Sequence, residues 1–420
     1  MNEKQRNLTK NVLTYMVCAY ILSYVLPAGV IAGVQIQTFL VAAIAAGALV
    51  VFIQQKSILE MIKQSFFEIA VVIAGLLWCI MGWRKGMEWN FTVFTLLYIG
   101  VVILLIIRWL IKYDFLDIRL MVQCLLIMMI VKIAVKLLIE IAFLTGILEY
   151  ESVSQLYFQV FSTEATTMTM DFGSIEMVRI QDSSDAIVFT LLPFYWFMPE
   201  RKRGERVALF IASGLYALIV FSRIYLIEFA CFTVVAVIYY WKNIPRKQKK
   251  ILIGLLLILM AVLAKPMMEM LRFRFFSSFT AESDTVRAVQ MTKLWDGIKE
   301  NLWIGHGMGS FLPDYIRSEA LPFSYEIEYL SFLYQFGILG FFLIIGGILA
   351  IYLKQIYPYF KNNPRVVQAV SILGAGWFAV RPFLNPAFLG KQNQFLLIGI
   401  FLINVWYASK SKSDQMLNLK

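Results

Sequence analysis

Long apolar runs follow one another from residue 12 to residue 409, each close to the roughly 20 residues that carry a helix across a bilayer core. Inside lipid a backbone must satisfy its own hydrogen bonds, so runs of this length point to helices. Twelve spans are expected, near 12–31, 34–53, 66–83, 91–107, 119–145, 184–198, 206–222, 224–241, 250–264, 326–352, 367–384 and 393–409. Composition agrees: 60% of residues are apolar, 15% are charged, and the mean hydropathy is +0.72. A soluble chain carries about 25% charged residues. The expected fold is therefore all-α, a polytopic integral membrane protein forming a single transmembrane domain over residues 1–420 with about 12 transmembrane helices.

Charge orients these spans. With the N-terminus inside, the cytoplasmic segments hold 23 of the 38 Lys and Arg residues. The short outer loops together with residues 146–183 hold six: Arg84, Lys85, Arg179, Arg223, Arg381 and Lys391. Cytoplasmic loops carry such an excess, so both termini are expected in the cytoplasm. The same bias explains the net charge of +11, because the basic residues form short clusters between spans, and nucleic acid is not an expected partner. The basic N-terminus resembles a signal peptide, but its apolar segment is too long, which predicts an uncleaved first span. Cys18, Cys79, Cys124 and Cys231 all fall inside apolar runs without a CxxC pair, so they read as buried apolar residues.

Two extracytoplasmic loops are long. Residues 146–183 carry six carboxylates against one arginine, whereas residues 265–325 balance seven basic with seven acidic groups. Loops of this length are usually functional. In the second loop, Ser283 or Asp284 can cap a helix carrying Val286, Val289, Leu294, Ile298 and Leu302 at helical spacing, with Asn301 able to end it. A glycine turn follows, Gly305-His306-Gly307-Met308-Gly309. This large, partly helical loop is expected over the outer mouth of the bundle. No repeat relates the two halves of the chain, which counts against the common transporter folds.

The glycine turn lacks the preceding strand and α/β unit of a nucleotide-binding loop. Its histidine, the one histidine of the chain, is a candidate base or a hydrogen-bonded turn residue. Arg223 interrupts an apolar stretch, where its planar fork suits phosphate, a local pair with Glu228 being the alternative. Arg287 lies on the loop helix, and Lys265, Arg272 and Arg274 just before it are candidates to line an anion-attracting cavity or to touch headgroups. Lys132, Lys136 and Glu140 share one face of the fifth span, as a functional group or as a Lys136–Glu140 tie between helices. Glu326 and Glu328 open the tenth span; two residues apart on a helix, they point in different directions, so one is expected to face the cavity.

The stretch LWDGIKENLWIGHGMGSF, followed by EYLSFLYQFGILGFF, resembles the signature region of the bacterial O-antigen polymerase and O-antigen ligase superfamily (Wzy-type proteins). Arg287, Asn301, Gly305, Gly307, Tyr329, Leu330, Gly337, Ile338 and Gly340 match that pattern in order. Ser222-Arg223 looks like the family's Ser-Arg-Gly, with Ile224 in place of the glycine, and Arg179 is a weaker match. Glu326 stands where members often carry a histidine, which favours polymerisation over ligation. The resemblance spans roughly residues 175–345 and implies a glycosyltransferase of the bacterial cytoplasmic membrane acting on undecaprenyl-pyrophosphate-linked glycans at its outer face. It implies Arg223 and Arg287 on the pyrophosphate, with Arg179, Arg272, Arg274, Lys265 and Tyr329 as further substrate-binding candidates. It implies Glu326 as base or orienter ahead of Glu328 and His306, no cofactor and no metal. Membrane lipid is a partner, and a chain-length regulator protein is admitted as another. A ligase, or a flippase of lipid-linked oligosaccharides, remains an alternative.

Overall fold

Helices occur at eleven of the twelve expected positions, and the remaining one, 250–264, lies outside the described residues. The computed structural model describes residues 2–26, 29–31, 34–161, 166–171, 176–242, 245, 246, 249, 278–383 and 388–417. In chain order the helices are α1 (Glu3–Leu22), α2 (Ile36–Gln54), α3 (Ile58–Gln64), α4 (Phe66–Arg84), α5 (Asn90–Lys112) and α6 (Ile118–Leu144). There follow α7 (Tyr150–Phe161), α8 (Asp185–Trp196), α9 (Arg203–Val220), α10 (Arg223–Trp241) and α11 (Ser278–Glu300). The last are α12 (Glu328–Gly340), α13 (Gly347–Phe360), α14 (Arg365–Val380) and α15 (Lys391–Leu417).

Among the described residues, six helical segments are long and apolar enough to cross a membrane: Ile36–Gln54, Phe66–Arg84, Asn90–Lys112, Arg223–Trp241, Glu328–Phe360 and Arg365–Phe383. The chain is a multi-pass membrane protein built on helices. Its centre is occupied by α8, every residue of which is buried, and by the apolar stretch of α15 from Phe395 to Ile403. Apart from Asp185 and Thr190, helix α8 is apolar on every face, as suits a helix packed among α9, α10, α14 and α15. With 12 residues it is about 18 Å long, too short to cross the bilayer core alone.

Several boundaries differ from expectation for local reasons. Helix α1 begins nine residues before the expected span, because Asn2 and Gln5 form a reciprocal capping box ahead of the apolar run. Helix α11 begins at Ser278, so Ser283 and Asp284 lie inside it rather than at its cap. The chain is helical in the main, as expected, and among the described residues short strand pairs accompany the helices. A short pair, β1 (Val30–Ile31) and β2 (Val34–Gln35), precedes α2, and the first long loop holds α7 and an antiparallel hairpin of β3 (Thr166–Asp171) and β4 (Glu176–Gln181), in register from Thr166↔Gln181 to Asp171↔Glu176. Val178 and Ile180 alternate along β4 and pack with Ile139, Tyr157 and Ile219. That period of two suits one strand face buried.

The hairpin is tied to the bundle by charge. Lys132 Nζ lies 2.7 Å from both carboxylate oxygens of Asp182, and Lys136 Nζ lies 2.6 Å from Asp185 Oδ1 and 2.9 Å from Asp182 Oδ2. The hydroxyls of Tyr157 and Tyr216 donate to Asp182 and Asp185. A Lys136–Glu140 tie is therefore replaced by a two-lysine, two-aspartate cluster, while Glu140 accepts from the backbone N–H of Val178. The four cysteines are free thiols, three of them buried.

Candidate functional site

The glycine turn is a junction between backbones. Gly305, Gly307 and Gly309 have φ of +76°, +105° and +83°, and Gly337 breaks α12 with φ +62° and ψ −176°. The two irregular segments satisfy each other. His306 N–H donates to Tyr334 O (2.9 Å) and Gly307 N–H to Gln335 O (2.8 Å), while Ile338 N–H donates to Leu302 O (2.9 Å) and Leu339 N–H to Trp303 O (3.1 Å). The Trp78 indole of α4 donates to Ile304 O at 2.8 Å and to Phe336 O at 3.0 Å. A Cβ on Gly305 would stand 2.4 Å from Gly337 N, and one on Gly337 2.4 Å from the carbonyl carbon of Trp303. No side chain fits where two main chains approach this closely.

His306 is consumed by this junction. Its Nε2 lies 2.9 Å from Gly297 O, its Nδ1 lies 3.5 Å from Asn301 Nδ2, and its ring stacks on Tyr334 with centroids 4.3 Å apart. A carbonyl partner makes Nε2 the protonated nitrogen, so the ring ties the end of α11 to α12. These contacts suit the hydrogen-bonded turn residue that was the alternative to a base.

The junction turns α11 back along the start of α12. Gln290, Leu294, Gly297 and Ile298 form the buried face of α11, and Leu294 and Ile298 pack on Leu312, Tyr325 and Tyr334. Val289 and Leu302, expected on that face, are exposed. Gln290 Oε1 accepts from the backbone N–H of Glu326 at 2.9 Å. One turn earlier, Arg287 Nε stands 2.8 Å from Glu326 Oε2, and Arg317 Nη2 stands 3.3 Å from Glu326 Oε1. Two expected site residues, Arg287 and Glu326, are thus in direct contact. Arg317 was not expected, because it lies in an irregular loop with no periodicity to single it out.

Glu328 points the other way. It is buried, and its two oxygens accept from the backbone N–H groups of Phe388 (2.5 Å) and Leu389 (2.9 Å). Two backbone donors satisfy this buried carboxylate and hold it apart from Glu326. The divergence of the two carboxylates follows from their spacing on α12. Tyr329 is also tied inward, its hydroxyl donating to Ala379 O at 2.8 Å and its ring packing edge-on to Phe383.

A second arginine group surrounds the start of α10. Phe221 takes a left-handed conformation (φ +40°), Ser222 is the N-cap position, and half-buried Arg223 begins the helix. From β4, Arg179 Nε donates to Val220 O at 3.2 Å and its Nη2 donates to Gln181 Oε1, which brings two expected arginines to one turn. Burial pulls the Arg179 guanidinium below its ordinary value, opposed by the charge of Asp185. Glu228 does not serve Arg223 as a local carboxylate: it pairs with Arg381 Nη2 at 2.5 Å, with Thr190 donating to it at 2.6 Å. The Arg381 guanidinium stands 5.5 Å from the Tyr225 ring centre, on the same helix as Arg223. Arg381 was visible in the sequence as an outer-loop arginine but carried no motif. Lys265, Arg272 and Arg274 lie outside the described residues.

A cavity of about 860 Å³ lies elsewhere, among Lys10, Asp117, Arg119, Arg201, Glu205 and Lys410. These come from segments read as cytoplasmic, so volume alone does not mark the chemistry.

A family model described as O-antigen ligase matches residues 207–345. This supports the resemblance to the O-antigen ligase and polymerase superfamily, and a function of that type in general. The matched segment contains Arg223, Arg287, His306, Arg317, Glu326 and the glycine junction, and leaves out Arg179 and Arg381. A search of the curated proteins finds no match to the chain.

Proposed function

We propose, from the O-antigen ligase family match over residues 207–345, that the protein is a polysaccharide polymerase of the bacterial cytoplasmic membrane. In this reading twelve spans leave both termini in the cytoplasm and the 265–325 loop outside. The substrate is a growing glycan on undecaprenyl pyrophosphate, transferred to a lipid-linked repeat unit. A hydroxyl oxygen of the acceptor attacks the anomeric carbon of the donor. The bond from that carbon to the diphosphate oxygen breaks, and the electron pair leaves with the diphosphate. Preorganised guanidinium groups of Arg223 and Arg287 take the developing negative charge. Glu326 takes or orients the hydroxyl proton. The sugar–diphosphate bond is already activated, so the step as written needs no nucleotide, cofactor or metal.

The observation that supports this reading best is the contact of Arg287 with Glu326, made by the glycine junction inside the matched segment. A diphosphate-binding cation and a proton acceptor stand side by side, as a transfer to a hydroxyl requires. The family description favours a second reading, a ligase that moves glycan to a different acceptor. Glu326 in the histidine position argues for the polymerase.

The test is glycan chain length in cells carrying Arg223→Ala or Arg287→Ala, with protein levels confirmed. Loss of long chains is expected, and wild-type polymer from both variants would sink the assignment. Single lipid-linked repeats accumulating at the outer face on gene deletion mark a polymerase. Full-length polymer left on its lipid marks a ligase, and repeats trapped inside mark a flippase.

A further inference from the structure

We propose that Arg287, Arg317 and Glu326 form a diphosphate site held by an internal carboxylate, and that the incoming donor displaces Glu326 and so frees it as the base. This rests on the transferase reading above and adds Arg317 to the binding residues.

Four observations carry it. Glu326 reaches a different guanidinium with each oxygen, Arg287 at 2.8 Å and Arg317 at 3.3 Å. A carboxylate between two guanidinium groups occupies the place that phosphate oxygens take, because both anions fit the same planar donors. The contact is also not well made. Glu326 Oε2 is buried and accepts no hydrogen bond of proper geometry although Arg287 Nε is 2.8 Å away. Opening a contact of misaligned charges gives up less than opening a bidentate pair.

Backbone and side chain are held separately. The backbone N–H of Glu326 is fixed by Gln290 Oε1, one turn from Arg287 on the same face of α11. Glu326 lies ahead of α12, which begins at Glu328, so its side chain can swing while its main chain stays. Charge gives the direction of exchange. The carboxylate brings one negative charge to the two guanidinium groups, whereas a diphosphate diester brings two. Displacing the carboxylate lets two cations meet two anionic charges.

The sequence of events follows. The donor diphosphate binds Arg287 and Arg317, and Glu326 turns away with its carboxylate beside the reacting carbon. It accepts the proton of the acceptor hydroxyl as the new oxygen–carbon bond forms. The old bond breaks towards the diphosphate, whose charge the arginines hold. Without donor the base is occupied, so donor binds before acceptor.

The test measures binding of undecaprenyl diphosphate to the full-length protein in lipid nanodiscs, alongside glycan transfer. Glu326→Gln removes the competing charge with little change of shape. It should bind the diphosphate roughly tenfold tighter, the equivalent of about 1.4 kcal/mol, while losing transfer. Arg317→Gln should bind roughly tenfold more weakly, since it loses one charge-assisted partner. Asp296→Asn removes an exposed carboxylate from the same helix and should leave binding unchanged. Glu326→Ala repeats the measurement should the glutamine variant fail to fold. Unchanged or weaker binding on losing the Glu326 charge overturns the proposal, as does equal tightening by Asp296→Asn. Wild-type protein that neither binds undecaprenyl diphosphate nor transfers glycan overturns the transferase reading with it.

Discussion

Glu326 and Glu328 are two residues apart, chemically identical, and placed in unlike surroundings. One meets two guanidinium groups near the surface; the other is buried under two backbone N–H groups. Substituting each by glutamine should separate chemistry from stability. Glu328→Gln leaves a poorer acceptor for buried donors and should cost about 1–3 kcal/mol of stability with transfer retained in the folded fraction. Glu326→Gln should change stability by less than about 1 kcal/mol and abolish transfer. Melting temperatures and single-turnover transfer on the same preparations check both. The spacing of the pair showed that their directions differ; which one is buried depended on backbone donors some 60 residues away at Phe388 and Leu389, which no local pattern displays. The glycines permit a similar separation. Gly305 and Gly86 share φ of +76°, yet a Cβ meets the main chain of Gly337 at the first and nothing within 4 Å at the second. Gly86→Ala should therefore cost about 1 kcal/mol of backbone strain, and Gly305→Ala about 2–3 kcal/mol more, read as the difference in melting temperature.

At the scale of elements, the β3–β4 hairpin is the part least legible beforehand. Its strands are short and polar, and they sit in a chain whose apolar periodicities all read as helix. Lys132 and Lys136 stood out as ionisable groups within a span, but their partners Asp182 and Asp185 lie about fifty residues on, beyond reach of helical spacing. The cluster holds the hairpin on α6, and the hairpin holds Arg179 at the start of α10. Removing one member leaves an uncompensated buried charge, so Lys136→Ala should cost about 3–5 kcal/mol. The paired replacement Lys136→Met with Asp185→Leu should recover part of it, measured by thermal melts. Acid should act on the same element. Burial alone would raise Asp182, but Lys132 and Lys136 outweigh it and hold the carboxyl well below the usual range. A depressed carboxyl contributes stability that is complete above about pH 4 and is lost as pH falls through the folded value. Melting curves between pH 3 and pH 7 should show that loss in the wild type and a smaller one in Asp182→Asn.

For the whole molecule, the helices were legible because lipid permits so few backbone solutions, whereas their orientation rests on the charge bias of the connections alone. The junction was legible only as glycines; that they join the end of α11 to a break in α12 required both segments in place. Met291, Trp295, Trp303 and Ile304 are exposed around that junction. Tryptophan favours the membrane–water boundary, which suits α11 lying along an interface; in the proposed topology that is the outer one, where the donor would arrive. Sidedness therefore decides whether the site can work at all. Asp296, exposed on α11, and Lys361, exposed between α13 and α14, fall on opposite sides in this topology. In a chain with Cys18, Cys79, Cys124 and Cys231 replaced by alanine or serine, Asp296→Cys should react with a membrane-impermeant thiol reagent in intact spheroplasts. Lys361→Cys should react only after the membrane is opened. If Asp296→Cys reacts only after the membrane is opened, the arginines and Glu326 do not share a face with outward-delivered glycan. Transfer at the outer leaflet then fails as a function for this chain, however well the arginines are arranged to hold a diphosphate.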